Sequence, residues 1–186
     1  MSNIKIILLT VWSLFFVGCT LTPLPDISNV VIEKKSKQLT QMLIELNKSI
    51  DPQEAQDFSL KSLYYAKKLA QNYKVVSPPL WHNVLVNIGL RDRGLCYEWS
   101  EDMLRYLLQQ NYQTLRFFAV GANIGDYFEH NALVVTAKGE DYREGIVIDA
   151  WRNSGNLFFD KVTNDKKYEW KNRVTLYKSI AFEVRH

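Results

Sequence analysis

The hydrophobic pattern divides the chain into a helical first half and a strand-rich second half. From Asp26 to Ile50, apolar positions Val31, Leu39, Met42, Leu43 and Leu46 recur at helical spacing, with the charged run Glu33–Lys37 on the solvated side. Asp51-Pro52-Gln53-Glu54 reads as a second helix start. Asp51 is placed to cap, Pro52 suits the first helical position, and Glu54 stands where a capping box wants it. That helix continues through Leu60, Leu63 and Tyr64 towards Tyr73. Ser77-Pro78-Pro79 breaks the chain, and a short helix from Leu80 to Ile88 stops at Gly89. It carries Trp81, His82 and Asn83, of which His82 reads as an ordinary half-buried histidine. After a charged turn, Arg91 to Gly94, a helix runs from Cys96 to Gln110 with Trp99, Met103, Tyr106 and Leu107 in one stripe.

Beyond Asn111 the period changes. Thr114–Val120 reads as a strand and Gly121–Gly125 as a loop. His130–Thr136 and Gly145–Ala150 read as strands around a polar turn containing Gly139. Asn153–Asn156 is a turn and Leu157–Val162 a short strand. Thr163–Arg173 is polar and lysine-rich and carries no clear pattern, and Val174–Val184 reads as a terminal strand. Helices followed by hairpin-connected strands predict an α+β fold, with the N-terminal helices and the helix beginning at Cys96 packed on an antiparallel sheet.

Composition narrows the function classes. With 186 residues, 47% hydrophobic and 13% aromatic, the chain can build one ordinary domain around a core. The net charge of +3 is spread along it, and no basic run interleaves with aromatics, so nucleic acid is not an expected partner. Two interior histidines, His82 and His130, and one spare cysteine, Cys96, do not make a convincing metal-ligand set, and no cofactor is implied.

The first residues have their own logic. Lys5 supplies a short positive start, and Ile6–Val17 is uncharged and mostly apolar, shorter than the ~20 residues a spanning helix needs. Gly18 then precedes Cys19. This stretch resembles the lipobox of bacterial lipoproteins. The resemblance implies a signal peptide over 1–18, a lipid on the Cys19 thiol, and a membrane partner reached through that lipid. It implies a cell-envelope location, at the outer membrane facing the periplasm if the host is diderm, since no aspartate follows Cys19. Residues 19–26 read as an extended tether stiffened by Pro23 and Pro25, leaving 27–186 as a single domain.

If Cys19 carries lipid, Cys96 is the one thiol left. Gly94 turns the chain just before it, and the helix follows. At a helix start, the macrodipole and free N–H groups favour a thiolate, and they can also hold an oxyanion formed on an attacked carbonyl. A base that can become a cation completes the requirement, and His130 opens a strand that can aim its ring. In a symmetric antiparallel hairpin the midpoint of 130 and 149 falls between Gly139 and Glu140, inside the turn. His130 and Asp149 would then lie directly opposite one another on one face, close enough for the carboxylate to orient the ring.

The order of these elements resembles the transglutaminase-like superfamily, a branch of the papain-like cysteine hydrolases. GLCYEWSEDML matches its cysteine element, EHNALVV its histidine element and GIVIDAW its aspartate element, over about Arg91–Arg152. The resemblance implies Cys96 as nucleophile, His130 as acid/base and Asp149 as orienting residue. Trp81 and Asn83 are the candidates for the side chain that completes the oxyanion hole. The expected chemistry is acyl transfer or hydrolysis at an amide or ester, on a peptide, protein or cell-wall substrate. The competing expectation is a non-catalytic envelope lipoprotein of the same fold, binding a partner through aromatic surface near Trp81, Trp99 and Trp151.

Overall fold

The computed structural model describes residues 27–185. The expectations for residues 1–26, including the signal segment, Cys19 and the tether, lie outside the described residues. Among the described residues no helix is long and apolar enough to cross a membrane.

Four helices come first. α1 (Asn29–Leu46) starts at Ser28, whose hydroxyl accepts from the Val31 N–H, and it buries Ile32, Ser36, Leu39 and Leu43. α2 (Pro52–Asn72) starts as expected at Asp51, which accepts from the Gln53 and Glu54 N–H groups. Glu54 does not close a capping box. Its carboxylate instead accepts from the backbone N–H groups of Gln113 and Thr114, tying the helix start to the strand that begins at Leu115. α3 (Pro79–Asn87) is short, and α4 (Cys96–Leu108) begins at the cysteine. The turn after α4 ends at Asn111 in the left-handed region, φ 57°, a conformation asparagine tolerates better than most residues.

The sheet has the order β4-β3-β2-β1-β5, built from β1 (Leu115–Ala122), β2 (His130–Ala137), β3 (Ile146–Asp149), β4 (Phe158–Lys161) and β5 (Lys171–Asn172). All pairs are antiparallel, so the class is α+β. β1 runs two residues further than the sequence pattern suggests, into the glycine-containing segment read as a loop. β5 falls in the lysine-rich stretch, where a two-residue strand has no room to show a period.

Both sheet faces are covered, which is why β2 reads as a nearly continuous apolar run. Leu115, Phe117, Ala119, Leu133, Val135, Ile146 and Ile148 face the helices and join the main core. Phe118, Val120, Ala132, Val134 and Val147 face the other way, beneath Tyr142 and Trp170.

The C-terminal segment is a correction. Val174–Arg185 is a helix, α5, and not a strand. Its β-branched and aromatic residues suit a strand locally, but Leu176, Tyr177, Ile180 and Val184 also fall at helical spacing and pack on the main core. An Arg105–Glu183 ion pair at 2.9 Å holds α5 to α4. Full burial of Ile180, worth about 1.5–3 kcal/mol, with partial burial of the other three, outweighs a weak local preference.

Candidate active site

The turn before α4 is built to deliver Cys96. Gly94 has φ +129°, and a Cβ there would lie 2.2 Å from His82 Nε2, so both backbone conformation and packing require glycine. His82, 1% exposed, donates from Nε2 to the Arg93 carbonyl (2.9 Å) and accepts at Nδ1 from the Val76 N–H (3.4 Å). It is a satisfied core histidine beneath the turn. Glu98 accepts from the Gly94 and Leu95 N–H groups at 2.7 and 2.9 Å, and Trp99 Nε1 donates to the Gly94 carbonyl at 3.0 Å. Leu95, at the cap position, has no side-chain acceptor, so the first-turn N–H groups of α4 have no side-chain cap. Cys96 is a free, half-buried thiol.

The hairpin brings His130 and Asp149 together, but by a different register from the symmetric one. Leu133 pairs with Ile148 and Val135 with Ile146, which sets Asp149 level with Ala132. The pairing is displaced by two residues because the connection holds a 3-10 turn, Tyr142–Glu144, capped by Asp141. An even displacement keeps both side chains on one face. They meet diagonally: His130 Nε2 donates to Asp149 Oδ2 at 2.7 Å. Asp149 engages Nε2 and leaves Nδ1 as the other ring nitrogen, and the Cys96 thiol is close enough to the ring to help raise its pKa.

β3 ends at Asp149, so the first residues of β2 have β1 on one side and an open edge on the other. Cys96 lies against residues 129–131 there. Its thiol donates to the Glu129 carbonyl at 3.7 Å, and the Asn131 amide points at the sulfur, Nδ2 to Sγ 3.9 Å.

Burial by itself would lower the His130 pKa. The hydrogen bonds and charges of Asp149 and Cys96 outweigh it and lift His130 to about 9, so the ring is a cation at neutral pH. Asp149 is 1% exposed. Burial would raise it, yet His130 and Arg152 together hold its carboxyl below the usual range.

Arg152, Asp165, Tyr168 and Trp170 had no signal in the sequence, because neither the turn after β3, which holds Arg152, nor the β4–β5 connection has a period to read. Arg152 donates to Asp149 from Nε (2.9 Å) and its backbone N–H (3.0 Å), and to Asp165 from both terminal nitrogens (3.2 and 2.6 Å). Trp170 Nε1 donates to Asp165 at 3.1 Å. This chain straps residues 162–170 over the site, where the His130 ring sits 4.5 Å from Tyr168, 4.8 Å from Trp151 and 5.6 Å from Trp170.

Asn83 reaches the site indirectly. Its Oδ1 accepts from Trp151 Nε1 at 3.0 Å, and Trp151 packs on His130. Trp81 is 41% exposed on α3, outside that contact chain. Trp99 and Trp151 are buried, so they do not form the aromatic surface expected of them. Exposed aromatics include Trp81 on α3, Tyr97 next to Cys96, and Tyr127 and Phe128 just before Glu129. Among the described residues no cluster of histidine, cysteine and carboxylate side chains could hold a metal ion. No protein-family model, curated protein or solved structure matches this chain.

Proposed function

We propose that this protein is a lipid-anchored envelope protein in which Cys96, His130 and Asp149 transfer an acyl group from an amide or ester through a thioester, with water the preferred acceptor. The observation that carries the reading is the convergence of a half-buried thiol at an uncapped helix start with residues 129–131, where the His130 ring donates to the buried Asp149 carboxylate. The resemblance of the three short sequence elements to those of the transglutaminase-like superfamily is in keeping with this reading.

In this mechanism the thiol proton has passed to His130, so that a Cys96 thiolate stands beside an imidazolium; the sulfur adds to the carbonyl carbon, and the C=O π pair moves to oxygen. The first-turn N–H groups of α4 face that charge. As the C–N or C–O bond breaks, His130 gives its proton to the leaving group. Water then adds to the thioester while His130 takes its proton, and the C–S bond breaks to return the thiolate. Asp149 keeps the ring turned so that Nδ1 meets sulfur. Lipid on Cys19 would hold this chemistry at a membrane surface, with a peptide, protein or cell-wall strand as substrate.

Alkylation kinetics of the full chain test the site. At neutral pH Cys96 should react with iodoacetamide well above the rate of an ordinary thiol, and His130→Ala should abolish that advantage. A rate no faster than an ordinary thiol's and unmoved by His130→Ala would sink the enzymatic reading. It would favour a binding lipoprotein, for which the exposed Trp81, Tyr97, Tyr127 and Phe128 are the supporting observation. The anchor is tested apart: Cys19→Ser should move the protein from the membrane to the soluble fraction, and retention in the membrane would refute lipidation.

A further inference from the structure

Asn131 is buried, 4% exposed, and its amide is not free to turn. Arg173 Nη1 donates to its Oδ1 at 2.6 Å, and the same guanidinium nitrogen pairs with Glu129 Oε1. Glu129 is itself fixed, because its other oxygen accepts from the Gly125 N–H at 2.9 Å. With Oδ1 held by a cation, the Asn131 NH2 group must face away from Arg173. It points at Glu129 Oε1 (3.4 Å) and at Cys96 Sγ (3.9 Å). One N–H therefore has a long, weak carboxylate contact, and the other has only a sulfur at the limit of contact. The donor is held in place and poorly used in the resting protein.

We infer that Asn131, aimed by Arg173, is the side-chain donor to the oxyanion that forms when Cys96 attacks a carbonyl. The inference rests on the acyl-transfer reading above. When the C–S bond forms, the carbonyl oxygen carries the displaced electron pair and projects from the carbon beyond sulfur. A donor 3.9 Å from sulfur makes a loose contact to the thiol but can close on that oxygen. The first-turn N–H groups of α4 approach from the helix side, and Asn131 approaches from the sheet. The open edge of β2 makes this possible, since a sulfur lying off the edge is reached by His130 from one face and Asn131 from the other.

The role is separated from thiol activation by comparing two reagents on full-length protein. Para-nitrophenyl acetate acylates a thiolate through a tetrahedral oxyanion, whereas iodoacetamide alkylates it at a saturated carbon without one. Asn131→Ala should lower the acylation rate of Cys96 about a hundredfold, the usual loss for one oxyanion donor, while alkylation stays within about threefold. Arg173→Met, which frees the amide to rotate, should give a smaller loss in the same ratio. If Asn131→Ala does not fold, Asn131→Asp keeps the Arg173 contact and removes the donor, and its ratio of acylation to alkylation should fall likewise. Equal losses with both reagents, or none with either, would overturn the inference and leave the nucleophile intact. A wild-type protein whose Cys96 is not acylated at all overturns both readings.

Discussion

Raising the pH through the His130 titration should strip the folded state of about 3 kcal/mol. The folded-state pKa is about 9 against an ordinary 6.5, a gap of about two and a half pH units at about 1.4 kcal/mol each. The sign follows from proton counting. Below 6.5 both the folded and the unfolded chain hold the proton, and the stabilisation is fully present. Between 6.5 and about 9 the folded chain keeps a proton that the unfolded chain has released, so the unfolding free energy falls as pH rises. Asp149 works at the other end. Its carboxyl is held below the usual range, so its contribution is complete at neutral pH and is lost only in acid. The assay is urea unfolding followed by tryptophan fluorescence, which the buried Trp99, Trp151 and Trp170 report. Wild type and His130→Gln are compared from about pH 6 to about pH 9. With a denaturant slope of about 1–3 kcal/mol per molar urea, the wild-type midpoint should fall by about 1 M or more relative to the variant. In a Cys96→Ser background the effect should shrink, because the sulfur supplies part of the upward pull. Parallel stability curves for wild type and His130→Gln would refute the reasoning.

Two further outcomes follow from the supports around the site. Gly94→Ala forces a side chain into φ +129° and onto the His82 ring, and should cost about 2 kcal/mol or more in urea unfolding; a loss below about 0.5 kcal/mol would show that the turn can relax without glycine. Arg152→Met leaves Asp149 and Asp165 buried, 1% and 3% exposed at their side chains, without the cation between them, and should cost about 3–5 kcal/mol. Limited trypsin digestion of that variant should cut first at Lys166 or Lys167, in the strap that Arg152 holds; an unchanged digestion pattern would mean that Tyr168 and Trp170 hold the strap by packing alone.

How much was legible beforehand depends on whether a feature is local. Asp51 and Pro52 announce α2 because a cap acts within one turn. Gly89 and Gly94 mark real breaks, each with positive φ. The strands of the central hairpin show because β2 and β3 are buried on both faces, so their apolar runs are uninterrupted. The terminal helix was not legible, since strand-like composition and helical spacing coincide in VTLYKSIAFEVR and only packing against α4 and β1 chooses between them.

The site divides along the same line. Sequence alone names a thiol after a glycine turn, a histidine opening one strand and an aspartate ending the next. Side-chain alternation puts the last two on one face whatever even register is adopted. Tertiary structure decides the rest. The 3-10 turn in the hairpin makes their meeting diagonal, and β3 ends early enough to leave an edge for Cys96. Arg152 reaches Asp165, 13 residues away, and Arg173 aims Asn131 from 42 residues away. Hydrogen bonds between such distant residues depend on where the sheet and its connections bring them, and no pattern of neighbouring residues encodes that.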